Sequence, residues 1–179
     1  MRCCMKIKVS SLLIATLFVF LMVSPVSAGP GIGFSSVKFS LGSLIADGFV
    51  TKLGNTDVTV VLDASGIPAV TCTNNGKQDV PGQSSPKITA TGQQSLNGNR
   101  DFTKNGKSPF SVETYDPVSV PWNAAGCPSA NWTARIDFIY WTNATLSVYD
   151  TATNALQLQK NYTCTTTRFP ASVSCTPVP

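Results

Sequence analysis

Side chains point to opposite faces of a strand in turn, so hydrophobicity with a period of two marks a half-buried strand. That period is clearest between residues 131 and 150. Trp132, Ala134, Ile136, Phe138 and Tyr140 form an apolar or amphipathic even series, opposite Thr133, Arg135 and Asp137. The odd series then becomes apolar itself, at Ile139 and Trp141. Thr142, Asn143 and Ala144 interrupt the run with turn-forming residues, and Leu146 and Val148 resume the even series. The pattern predicts a hairpin with an odd-length loop at 142–144, because an odd loop sets Phe138 beside Val148 and Tyr140 beside Leu146. A turn at 150–154 and the even residues Leu156, Leu158 and Tyr162 extend it to a three-stranded meander. Lys160 falls on the inward parity, which calls for a snorkelling stem or a strand edge.

Shorter alternations fill the remaining sequence. Val37, Phe39 and Leu41 form one, and Phe49, Thr51 and Leu53 a second. Val58, Val60 and Leu62 read as a strand ended by a turn at Ala64-Ser65-Gly66, followed by a strand at 67–73 carrying Cys72. The connections at 74–87 and 97–108 are polar and hold Asn-Gly and Pro-Gly turn steps. Residues 88–95 read as a polar edge strand and 110–114 as a short strand. Pro117, Pro121 and Pro128 exclude a central strand from 116–131. Roughly eight to ten short strands without a helical period predict an all-β, antiparallel β-sandwich of Greek-key or immunoglobulin-like architecture, with a β-barrel as the alternative. Residues 29–179 form a single domain in this reading.

The first residues bear on the compartment. Arg2, Lys6 and Lys8 precede an apolar run at 11–23, and Val26-Ser27-Ala28 supplies small residues for cleavage. Residues 1–28 therefore read as a signal peptide, its apolar run too short for a comfortable membrane span. The formal charge of +4 is mostly that signal: three of the thirteen basic residues lie in it, leaving ten against nine acidic. No nucleic-acid footprint remains. After cleavage no integral membrane segment is expected, and the last residues hold neither an anchor helix nor a wall-sorting pattern. The product is expected outside the cell or held non-covalently in its envelope.

Four cysteines follow the signal, at 72, 127, 164 and 175. In an exported protein they read as two disulfides, with three pairings open. Cys164 ends a strand and 173–175 resembles a short return strand, which favours Cys164–Cys175 and Cys72–Cys127. A zinc site is disfavoured because no C-x-x-C spacing occurs.

The sequence has no histidine. This removes Ser-His-Asp and Cys-His nucleophilic sites and ordinary His-ligated metal sites. Neither a metal nor a cofactor is expected, and the protein reads as a non-enzyme. Glu113, the only glutamate, could pair with Asp116, Asp101 or Asp137 in a carboxylate hydrolase of polysaccharide. Trp122, in a proline-rich loop, and Trp141, on the outward parity, are candidate platforms for sugar rings. Asn97, Asn99 and Asp101 have calcium-loop spacing but lack a closing bidentate glutamate. Asn131-Trp-Thr, Asn143-Ala-Thr and Asn161-Tyr-Thr are formal glycosylation acceptors.

The stretches VTCTNNG, VPGQSSP, GCPSANWTARIDF and NYTCTTT resemble a family of small exported bacterial proteins with no assigned activity. The resemblance covers nearly all of the sequence after the signal. It implies an exported, disulfide-bonded, β-rich protein and supplies no catalytic residue. The expected function is a binding or envelope component contacting a glycan or cell-surface molecule. The alternatives are the hydrolase centred on Glu113 and a surface protein that self-assembles through the strand at 88–95.

Overall fold

The computed structural model describes residues 31–84, 86–98, 106–115 and 119–179. The expected signal peptide lies outside the described residues. Nine strands make up the described fold: β1 Gly33–Leu41, β2 Leu44–Thr51, β3 Val58–Asn74, β4 Asp79–Pro81, β5 Ile88–Leu96, β6 Lys107–Glu113, β7 Trp132–Asp150, β8 Leu156–Arg168 and β9 Ala171–Pro177. They form an antiparallel β-sandwich. The smaller sheet has the order β1-β2-β6. The larger runs β3-β7-β8-β9, with β4 and β5 sharing the outer edge of β3. β7, β8 and β9 run as an antiparallel meander, but not the expected one: its first two strands, either side of 142–144, are a single strand here, and β9 takes the third place.

The predicted hairpin at 142–144 does not exist. β7 continues through it as a 19-residue strand, and β3 continues through Ala64-Ser65-Gly66 as a 17-residue strand. The two supposed turns face each other. Ser65 pairs with Asn143 and Gly66 with Trp141, so Thr142 is an extra residue with no partner. This is a β-bulge, which bends a strand without ending it. Gly66 is what allows it: a Cβ there would stand 2.7 Å from Tyr140 O and 3.0 Å from Trp141 Cα. Thr142 Oγ1 donates to Ser65 O at 3.1 Å, so the bulged residue satisfies the carbonyl beside the break. A second bulge lies a few residues away. Ala69 pairs with Phe138 and Val70 with Ile136, leaving Asp137 as the extra residue.

Strands of this length exceed what one sandwich layer uses, and they serve two cores. The lower half of the β3–β7 ladder packs Val58, Val60, Leu62, Leu146 and Val148 against Leu44, Val50 and Val112 of the small sheet. Burying each of those side chains contributes roughly 1.5–3 kcal/mol. The upper half contributes Val70 and Cys72 to a second cluster with Val120, Ala125 and Cys127, flanked by Trp132 and Ile136. Pro68, fully buried, sits where β3 lacks an outer neighbour, past the last β5 pair at Gly66 and before the first β4 pair at Thr71. A residue without an N–H is tolerated in such a gap.

Both margins of the large sheet curl toward the small one. At one, Tyr115 N donates to Thr91 O at 3.0 Å and Ser111 N to Gln94 Oε1 at 2.8 Å, so β6 and the residues after it close part of the β5 edge that the sequence leaves free. At the other, the Phe39 and Tyr162 rings meet edge-on with centroids 4.9 Å apart. Lys160 is exposed on the part of β8 that β9 does not pair, as its edge alternative requires.

Candidate functional site

β7 has β3 on one side along its whole length, but β8 on the other only from Asn143 to Tyr149. β8 reaches a little further through Thr166 Oγ1, which donates to Trp141 O at 3.0 Å. Among the described residues, no strand pairs with that side of β7 from Trp132 to Tyr140. In an antiparallel ladder every second residue aims its N–H and C=O away from the partner. Among the described residues, the outward donors and acceptors of the upper half of β7 therefore have no strand partner.

A groove of about 480 Å³ follows this open edge, within the size range of ligand sites. Its floor and walls are Ala134, Ile136, Ile139 and Trp141 of β7, facing Leu41 and Gly42 at the tip of the β1–β2 hairpin. Ser119, Arg135 and Asp137 supply its polar side. The groove exists because the small sheet ends below the upper half of β7, and the second cluster begins above it.

Bulges explain how one short stretch presents both kinds of side group. Each extra residue shifts the strand by one and exchanges its faces. Inward positions run Ile136, then Ile139 and Trp141 after the Asp137 bulge, then Ala144 and Leu146 after the Thr142 bulge, as their pairing with inward-facing residues of β3 requires. Phe138 and Tyr140 are thereby turned outward, their rings edge-on at 5.1 Å.

Asp137 is held by neighbours on both sides. Thr71 Oγ1 donates to its Oδ2, and Arg135 Nε to its Oδ1 at 2.9 Å. The Thr71 hydroxyl, and after it the Arg135 guanidinium, keep the carboxyl below the ordinary carboxylate range against the opposing effect of burial. Asp137 is thus ionised at neutral pH. Arg135 itself is 67% exposed, so the pair presents a cation to solvent at the groove's mouth.

The sequence candidates separate in the structure. Trp141, expected on the outer face, is 1% exposed and belongs to the main core, which removes it as a surface platform. The two bulges are the physical reason. Trp122 is 39% exposed, in the turn that leads to Cys127. Cys127 N donates to Trp122 O and Gly126 N to Asn123 O, with Gly126 at φ +67°, the pattern of a helix-ending turn. No flat face presents both tryptophans. Glu113 is exposed at the end of β6, opposite Ile45. Asp116, Asp101 and Asn99 lie outside the described residues. Asn143 and Asn161 stand on the exposed outer face of the large sheet, and Thr145 Oγ1 donates to Asn161 Oδ1 at 3.0 Å.

Both expected disulfides are present, Cys72–Cys127 and Cys164–Cys175. The first ties β3 to the segment that covers the second cluster. The groove itself is not anticipated by the alternation of β7 read as a hairpin. Its signal in the sequence is the apolar series changing parity at Ile139 and again at Leu146.

The molecule falls into a definable class: a disulfide-pinned β-sandwich with a ligand-sized groove on an open strand edge. No protein family, curated protein or solved structure matches the sequence.

Proposed function

We propose that this molecule is an exported, non-enzymatic binding protein of the cell envelope or exterior, of immunoglobulin-like architecture, with the β7 groove as its ligand site. The observation that supports this reading most is the groove's composition: an apolar floor of Ile136 and Ile139, backed by the buried Trp141, beside the Arg135–Asp137 pair. That mixture suits a ligand with one apolar face and a polar rim. A sugar ring has that form, its C–H face packing on apolar side chains and its hydroxyls reaching charged ones. Two disulfides support an oxidising compartment, and the resemblance to small exported bacterial proteins points the same way. A panel of mono- and oligosaccharides titrated by NMR tests the reading. Saturable shifts at Arg135 and Ile139 are expected, and their loss in Ser119→Trp, whose bulk fills the groove. No perturbation by any saccharide, or equal shifts in the variant, would contradict it.

A carboxylate hydrolase is the second reading, favoured by one contact. Glu113 Oε1 lies 3.4 Å from where a Cβ on Gly42 would stand, and Gly42 lines the groove. Asp137 could serve only as the ionised member of the pair. Glu113→Gln separates the readings: it abolishes turnover in a hydrolase and leaves ligand binding intact in a binding protein.

A further inference from the structure

Two Asn-Gly steps within the described residues share their chemistry and differ in their surroundings. Asn75-Gly76 forms the tip of the β3–β4 hairpin and is exposed. The turn is closed by Lys77 N donating to Asn74 O at 2.9 Å, with Lys77 at φ +60°. Asn74 Oδ1 accepts from Gln78 N at 2.9 Å and its amide donates to Gln78 Oε1 at 3.0 Å, so the hairpin's base is held while its tip is not. Among the described residues the Gly76 N–H has no acceptor. Asn97-Gly98 is the opposite case. Gly98 is buried, its N–H donates to Asp57 Oδ1 at 2.8 Å, and its Cα packs so closely on Asn55 that an added Cβ would stand 2.5 Å from the Asn55 carbonyl carbon.

We infer that Asn75 is a site of spontaneous deamidation and isoaspartate formation, and that Asn97 is protected from it. The Gly76 backbone nitrogen gives up its proton and attacks Asn75 Cγ. A bond forms between that nitrogen and Cγ, the Cγ–Nδ2 bond breaks, and ammonia leaves with the proton, producing a five-membered succinimide. Water then adds to either ring carbonyl and opens the ring to aspartate or isoaspartate. No oxidant or co-reactant other than water is needed. The attack requires a nitrogen free to lose its proton and space for the ring to close. Gly76 offers both. The Gly98 nitrogen would have to leave a carboxylate that stabilises its N–H, and a deprotonated amide beside the Asp57 charge is disfavoured further.

The product places a carboxylate next to Lys77 and, in the isoaspartate form, adds a methylene to the backbone at a solvent-exposed tip. The neighbouring Cys72–Cys127 bridge keeps β3 and its cover together, so the fold persists after modification.

The intact, disulfide-bonded protein is aged at mildly alkaline pH and its peptides are mapped by mass spectrometry. Conversion at Asn75 is expected to exceed that at Asn97 by at least about tenfold. Gly76→Ala, whose Cβ would stand a tight 3.2 Å from Asn74 Oδ1 and needs only that side-chain end to shift by a few tenths of an ångström, should slow Asn75 by a similar factor. Asp57→Ala should raise the Asn97 rate. Equal rates at the two asparagines in the unmodified protein, or an Asn75 rate unchanged by Gly76→Ala, would overturn the inference.

Discussion

The indole of Trp141 is 1% exposed because single extra residues, Asp137 and Thr142, flank it on one strand. Without either bulge Trp141 would fall on the outer face, where its simple parity places it. Among the described residues it is the largest of the fully buried side chains, and it forms part of the groove's floor. Trp141→Ala should therefore cost about 3–5 kcal/mol through lost contacts and a cavity. A guanidinium unfolding curve reads this directly, and a loss below about 1 kcal/mol would place the indole at the surface. Asp137 makes a second prediction at this scale. Its folded pKa is lowered below the unfolded value near 3.9. Its stabilisation is thus fully present above that value and is lost as pH falls through the lower, folded one. Urea midpoints measured from neutral to strongly acidic pH should fall more steeply in the wild type than in Asp137→Asn.

Strand length is the property of the elements that the sequence conceals. The alternation itself is legible: β1, β2, the pairing of 145–149 with the strand after the 150–154 turn, and both disulfides follow from parity and cysteine positions. The first hairpin of the expected meander does not form. The breaks mislead because turns and bulges are built from the same residues. Ala64-Ser65-Gly66 and Thr142-Asn143-Ala144 look like two turns, and they are the two sides of one bulge. A glycine inside a strand signals close backbone approach as well as a turn, and only the partner strand decides between them. Which long segments pair is a non-local fact that the local pattern of either strand does not contain. Gly66→Ala tests the bulge. With its Cβ 2.7 Å from Tyr140 O, it should destabilise by roughly 1–3 kcal/mol. Gly42→Ala, whose nearest neighbours would be 3.4 Å away, should leave the unfolding midpoint nearly unchanged.

At the scale of the whole molecule the long β3–β7 ladder joins two cores of unequal size. The upper cluster is small, and the covering segment reaches it from a distant part of the sequence. The Cys72–Cys127 bridge spans 55 residues and Cys164–Cys175 spans 11. By loop entropy they contribute about 4 and about 3 kcal/mol respectively. Replacing Cys72 and Cys127 by alanine should lower the thermal midpoint more than replacing the other pair, since it also releases the cover of the upper cluster. The groove lies between the cores, on the stretch of β7 that has a neighbouring strand on one side among the described residues. Hydrogen exchange resolved along β7 tests that arrangement most directly. Amides from Asn143 to Tyr149 should all be protected, while between Ala134 and Tyr140 protected and fast-exchanging amides should alternate, the fast ones slowing when a ligand fills the groove. Uniform protection along the whole strand, with no fast amides above Trp141, would contradict the open edge and the binding site built on it.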